Sequence, residues 1–299
     1  MRARYAFPAI VSVAALTLTG CVNNSPTAAV APTDSSSATS ATKDNAAAAL
    51  LPAKIAKAGV LVIATSPNYP PNEFKDEAGK PIGWSIEMDD AIAARLGLKA
   101  DIRIASFDNI IPGIVGGTID MGESSFTDTV KREEQVDFVN YYSAGTRWAS
   151  AVGKSVDPAN ACGLTVAVQA TTLQDTVMLP AASAACVAAG KPPVKKLPFD
   201  TQDSAINAVV LGRADAVLGD SPGILYAIVK TKGKLQKAGD MAKAVPYGLA
   251  VAKDSGMAKA VQAAMQSMVD DGTYAKILDK WGVGDGGIAK ITINAGGQG

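Results

Sequence analysis

The chain has no histidine among its 299 residues. Catalysis by Ser-His-Asp or Cys-His, imidazole-ligated metal and a histidine proton shuttle are thereby excluded, and the reading moves from chemistry toward binding. A charge excess is also missing. The 28 Lys+Arg are balanced by 28 Asp+Glu, which leaves no basic surplus to hold nucleic acid or an acidic membrane face. Cysteine is scarce, with 3 residues and no metal-ligand spacing among them, so neither a metal nor a cofactor is expected. Beyond the N-terminus no apolar run is long enough to cross a bilayer. What remains, with 48% hydrophobic residues, is a globular chain of one or two domains with no nucleic-acid partner.

The N-terminus reads as a processing signal. Arg2 and Arg4 precede an apolar run from Ala6 to Leu18, and Leu18-Thr19-Gly20-Cys21 closes it with small residues before a cysteine. This resembles a bacterial lipoprotein signal over residues 1–20, with cleavage before Cys21 and a diacylglyceryl group on its thiol. An ordinary secretory signal with a chance cysteine is the alternative, and both place the protein outside the cytoplasm. Residues 21–49 turn to Ser, Thr, Ala, Pro and Asn without an aromatic. A segment of that kind buries too little apolar area to offset its ordering entropy, so a disordered tether to the membrane is expected, with the globular part starting near Leu50.

From there strands and helices alternate. Val60–Ala64 is a short apolar run suited to a strand buried on both faces, and Met88, Ile92 and Leu96 share one helix face that Gly97 ends. A strand at 101–104, a helix capped by Asp108 and a strand at 119–122 complete a βαβαβ order, which implies a parallel sheet covered by helices. A like unit starts at Leu164–Val168, and the capped helix from Asp203 leads through Gly212 into a strand around 214–218. Two similar lobes place a ligand cleft beyond the carboxyl ends of their strands.

The segments Ile63–Phe74, Gly83-Trp84-Ser85-Ile86-Glu87, Ser106-Phe107-Asp108, Ser124–Thr129 leading to Arg132, Val136-Asp137-Phe138, Gly219-Asp220-Ser221-Pro222, Asp271–Tyr274 and Lys280-Trp281-Gly282 resemble the polar amino-acid family of solute-binding proteins of ABC importers. That resemblance spans about Leu50 to Trp281. It implies an α/β, two-lobed periplasmic-binding-protein-like fold of type II, with lobe 1 at 50–146 and 247–299, lobe 2 at 147–246, and two crossover hinge segments. It also implies a monomeric receptor that captures a free L-amino acid and passes it to ABC permease subunits.

Carried over residue by residue, the family's carboxylate-binding arginine falls on Arg132, with Thr127 donating beside it. The chemistry agrees, because a planar guanidinium at a helix start suits one carboxylate held bidentately. Its alternative is a surface arginine paired with Glu133 or Glu134. The aspartate for the ligand ammonium falls on Asp220, which Asp-Ser-Pro would otherwise make a helix cap. Tyr69 and Phe107 match the rings that sandwich the ligand side chain. Ser66, Ser124, Ser125, Gln169, Thr171 and Thr172 complete the polar lining, while Trp84 and Trp281 match structural positions.

Departures bear on specificity. Ser66 and Ser85 stand where members that bind basic amino acids often carry aspartate, which argues against a strong cationic preference. Glu123 occupies a usually apolar place and would restore that preference if it faced the cleft. Leu173 stands near a position that is often small and crowds the pocket. Cys162 and Cys186 bracket a strand and an antiparallel helix, so an oxidising compartment allows a bridge between them, two free thiols being the alternative. Tyr141–Gly145 and Val245–Ala250 are the two crossings, and a ligand gripped from both lobes favours the closed form. A dehydratase of prephenate-like acids on the same fold, with Glu123 as general acid, is the enzymatic alternative, although no partner base is evident. A ligand-sensing subunit of a signalling receptor is the other.

Overall fold

The computed structural model describes residues 42–242 and 244–296. The expected signal peptide, Cys21 and most of the expected tether lie outside those residues. The first lobe opens with helices α1 (Asn45–Ala49) and α2 (Ala53–Ala58), strand β1 (Val60–Thr65) and a small meander, β2 (Asn68–Tyr69), β3 (Glu73–Lys75) and β4 (Pro81–Ile82). It continues through α3 (Trp84–Arg95), β5 (Lys99–Ile104), α4 (Phe107–Val115), β6 (Met121–Gly122), α5 (Val130–Glu133) and β7 (Val136–Ala144). After Gly145 the second lobe runs β8 (Thr146–Ala151), β9 (Thr165–Gln169), α6 (Leu179–Ala188), β10 (Lys195–Phe199), α7 (Gln202–Val210), β11 (Ala216–Asp220), α8 (Ser221–Lys230) and β12 (Leu235–Ala238). The return brings β13 (Val245–Ala252), α9 (Met257–Asp270), α10 (Thr273–Lys280) and β14 (Thr292–Ile293) back to the first lobe.

One sheet has the order β14-β7-β13-β6-β1-β5 and the other β10-β9-β11-β8-β12. β1 lies parallel between β5 and β6, and β9 lies parallel between β10 and β11. Each lobe thus has the parallel centre implied by its βαβαβ order. The sheets as wholes are mixed, however, because the crossing strands β7, β8 and β13 add antiparallel ladders to them. Leu61, Ile63, Trp84, Met88, Ile92 and Met265 fill the larger core. The second lobe packs smaller residues, among them Ala167, Val209, Val217 and Ile224 on one face of its sheet.

Three local expectations are corrected. α1 falls inside the segment expected to be tether: the Asp44 carboxylate accepts from the Ala46 and Ala47 N–H groups, Ala47 is fully buried, and the Asp44 N–H donates to the Arg95 carbonyl. An N-cap and a single buried alanine are too weak a signal to read within a polar, alanine-rich run. Asp108 and Asp203 do not cap their helices. Ser106 precedes α4, and Thr201 precedes α7 with its hydroxyl accepting from the Ser204 N–H.

Cys162, just before β9, is joined to Cys186 in α6 by a disulfide. Closing a loop of that length is worth about 3 kcal/mol through the unfolded state. Replacing both cysteines by alanine is expected to lower the unfolding free energy by that amount in a denaturant titration. An unchanged midpoint would contradict it.

Candidate functional site

The site is assembled from strand ends. Ser66 follows β1, Phe107 lies just beyond β5, Ser124 and Ser125 follow β6, Gln169 ends β9 with Thr172 beyond it, and Asp220 ends β11. These positions converge on one cavity lined also by Tyr69, Thr127 and Arg132. Every lining position expected from the sequence therefore meets at one place, except Thr171, which contributes through its carbonyl. Asn68, Glu73, Leu173 and Gln174 line it as well, and of these only Leu173 carried a signal.

Tyr69 and Glu73 arrive together. They face each other as a β2–β3 pair across Pro70-Pro71-Asn72, which places both side chains on one side of the meander. The meander is pinned to the start of α3, where the Trp84 and Ser85 N–H groups donate to the carbonyls of Pro71 and Asn72. Gly83 makes that approach possible: its φ is +133°, and a Cβ there would lie 1.9 Å from the Asn72 carbonyl oxygen. The Trp84 indole then donates to the Asn72 side chain at 2.9 Å, and its ring packs on Tyr142 at 4.9 Å.

Arg132 and Asp220 reach the cavity from opposite lobes. The Thr129 hydroxyl accepts from the Arg132 N–H and starts α5. The guanidinium donates to the carbonyls of Thr127 at 2.7 Å and, across the cleft, Thr171 at 3.0 Å. It sits 5.6 and 5.4 Å from the ring centroids of Phe107 and Phe126, which stack on each other at 4.6 Å. No ion pair to Glu133 or Glu134 forms among the described residues. Burial draws the arginine down to about 10, so it stays charged at neutral pH. Thr171 holds φ at 62°, a strained value for a β-branched residue, and this turn offers its carbonyl to Arg132.

Asp220 occupies the N-cap position of α8 yet makes no side-chain cap bond. Its carboxylate instead accepts from the Gln174 amide at 2.6 Å and the Tyr247 hydroxyl at 2.7 Å, and its own N–H donates to the Tyr69 hydroxyl at 2.9 Å. Burial pushes it up to about 6. Gln174 opens a π-helical turn over Gln174–Met178, a local geometry that no residue pattern announced.

Residues 61–284 match the family model for bacterial extracellular solute-binding proteins, family 3. The chain belongs to that family. An arginine-binding protein of Corynebacterium glutamicum is 40% identical over 248 residues, which is 82% of either chain. An ancestral arginine-binding protein, with structures in complex with arginine and with glutamine, superimposes with TM-scores of 0.68 and 0.67 at 32% and 33% identity, covering 75% of this chain and 98% of the other.

This solute-binding protein keeps buried acids at and behind the cavity wall. Glu73, at 1% exposure, accepts from Ser85 at 3.1 Å and Ser125 at 3.0 Å through Oε2, and more weakly from Ser124 through Oε1. A position without an acid, Ser85, serves as donor to a neighbouring acid that does line the cavity. Glu123 lies beneath that wall and does not line it. Its Oε1 accepts from the Tyr141 hydroxyl at 2.7 Å and from the Ser125 N–H, while Oε2 has no partner. Asp89, fully buried on α3, has neither oxygen partnered.

Burial raises all of these acids, Glu123 to about 7. Repulsion from Glu123 adds to the rise at Glu73 and at Asp89. A folded pKa above the unfolded one means that the native state holds protons the unfolded chain has released. The contribution is then present below the unfolded value and is lost as pH rises through the folded value. The ligand-free protein is therefore expected to melt at a higher temperature at pH 5 than at pH 8, and Glu123→Gln should flatten that slope. A melting temperature that rises toward pH 8 would contradict it.

Proposed function

We propose that this protein is a lipid-anchored, extracytoplasmic receptor that closes on a free L-amino acid with a cationic side chain, arginine foremost, and delivers it to the permease of an ABC importer. One observation carries the reading: Arg132 from the first lobe, Asp220 from the second and Glu73 from the meander line a single cavity. A zwitterion places its carboxylate on Arg132 beside Thr127 and its ammonium on Asp220. Tyr69 and Phe107 then flank the side chain, with a cation–π contribution on the order of 0.5–2 kcal/mol for a guanidinium. Glu73 Oε1, with only the 3.5 Å bond from Ser124, is left to receive the distal charge. Relatives named for arginine support that choice.

Capture needs no chemistry. Arg132 and Asp220 grip one ligand from separate lobes, so the ligand interacts fully only with the closed form and shifts the population toward it. The Arg132–Thr171 and Tyr69–Asp220 hydrogen bonds belong to that form, and the importer distinguishes the closed shape from the open one.

Calorimetry at pH 7.5 with arginine, its neutral isostere citrulline and alanine tests the reading. Arginine should bind tightest. Arg132→Ala should weaken every ligand by about 2–5 kcal/mol, at least 30-fold, because a desolvated carboxylate loses its partner. Glu73→Gln should collapse the arginine-to-citrulline ratio and leave alanine unchanged. Turnover of a prephenate-like acid, or arginine held tightly by Arg132→Ala, would overturn it. For the anchor at Cys21, Cys21→Ser should move the protein from the membrane fraction to the soluble one, since the tether offers no other apolar hold.

A further inference from the structure

We propose that the C-terminal segment Asn294–Gly296 is a strap that holds the Thr127–Arg132 loop in its binding shape, with Asp128 as the positioning residue through which it acts. This rests on the reading of Arg132 as the ligand's carboxylate partner.

The strap is tied down at both ends. β14 pairs with β7 at Asn140 and Val139. Asn294 then continues the ladder with its side chain, which accepts from the Phe138 N–H at 2.8 Å and donates to Asp137 at 3.0 Å, while its own N–H donates to the Phe138 carbonyl. Its φ of 53° turns the chain across the loop that precedes α5. From there the Ala295 N–H donates to Asp128 Oδ2 at 2.8 Å and the Gly296 N–H to Glu133 Oε1 at 3.0 Å. Asp128 and Glu133 flank Arg132 in sequence, so the strap spans the turn that presents the guanidinium.

The contact is also steric. A Cβ at position 296 would lie 2.8 Å from the Thr129 Cα and 2.9 Å from the Asp128 carbonyl carbon, so the strap backbone rests directly on the loop backbone. On the other side the loop is held by β13, through the Asp128 N–H to Pro246 and the bridge between Thr127 and Tyr247. Asn140 donates to Asp128 Oδ2 at 2.9 Å and also accepts from Ala295. Thr127, whose carbonyl orients the guanidinium at 2.7 Å, therefore sits between a strand and the strap. Removing the strap leaves the Asp128 carboxylate with Asn140 alone and frees one side of the turn. Ligand contacts themselves are untouched.

The test uses the mature protein ending at Ile293, and separately Gly296→Val in the full chain, which keeps the β14 pairing if truncation impairs folding. Both should weaken arginine, citrulline and alanine by one common factor of about tenfold, with the arginine-to-citrulline ratio preserved. Both should also speed hydrogen exchange of the 127–133 amides while β1 and β9 amides keep their protection. Unchanged affinity in both variants, a loss that differs between ligands, or unchanged exchange at 127–133 would overturn the strap. If the parent protein binds none of the amino acids, the reading of Arg132 fails, and the exchange measurement still decides whether the strap orders the loop.

Discussion

Charge taken out of water must be matched, and the closed cleft holds two charges of opposite sign from opposite lobes that do not pair with each other. Among the described residues the Arg132 guanidinium has only carbonyl and aromatic partners, and the Asp220 carboxylate only an amide and a hydroxyl. Such partners offset part of the desolvation cost and leave the rest. On the proposed reading, a zwitterion supplies the missing opposite charges to both ends in one step. The same shortfall that limits the ligand-free closed form gives the liganded one its advantage, and closure becomes a consequence of charge matching rather than a separate device.

That arrangement demands rigid supports, since a clamp that relaxes around its charges would gain little from a ligand. The parallel strands deliver residues at their carboxyl ends, where chain direction is fixed by the ladder. Backbone carbonyls aim the guanidinium: one belongs to a turn locked against β13, and the other to Thr171, strained at φ 62°. Strain at Thr171 is tolerable because its N–H is taken by Asp175, itself paired with Lys196 at 2.6 Å. The meander likewise holds Tyr69 through the first turn of α3 rather than through its own short strands.

What the sequence disclosed and what it hid divide along one physical line. Strand ends, crossings and the polar residues after them are local, so Ser66, Ser124, Thr127, Arg132 and Asp220 were readable where they stand. Glu73 was not, because its place depends on a two-residue strand folding back on Tyr69 and on Gly83 admitting α3 beside it. Gln174 was hidden in a π-helical turn that shifts its side chain relative to an α-helical register. The strap joins positions separated by more than 150 residues, as in the Ala295–Asp128 bond with its separation of 167, and nothing in either segment names the other. Asp44 and α1 escaped notice for the reverse reason: the signal was local but drowned in a polar, alanine-rich run.

The acids at and behind the cavity wall cost the fold stability. Glu73, Asp89 and Glu123 lie buried with no basic residue paired to them among the described residues, and raised proton affinity is the response of a fold that cannot pair them. A hydrophobic replacement would stabilise the empty protein, since unpartnered oxygens such as those of Asp89 contribute nothing to packing. On the proposed reading, replacing Glu73 would also remove the oxygen that receives the ligand's distal charge. Glu123 and Asp89 do not line the cavity and act on it only through Glu73, whose proton affinity they raise. On the proposed reading, discrimination between a charged side chain and its neutral isostere rests on Glu73, the one of these three acids that lines the cavity.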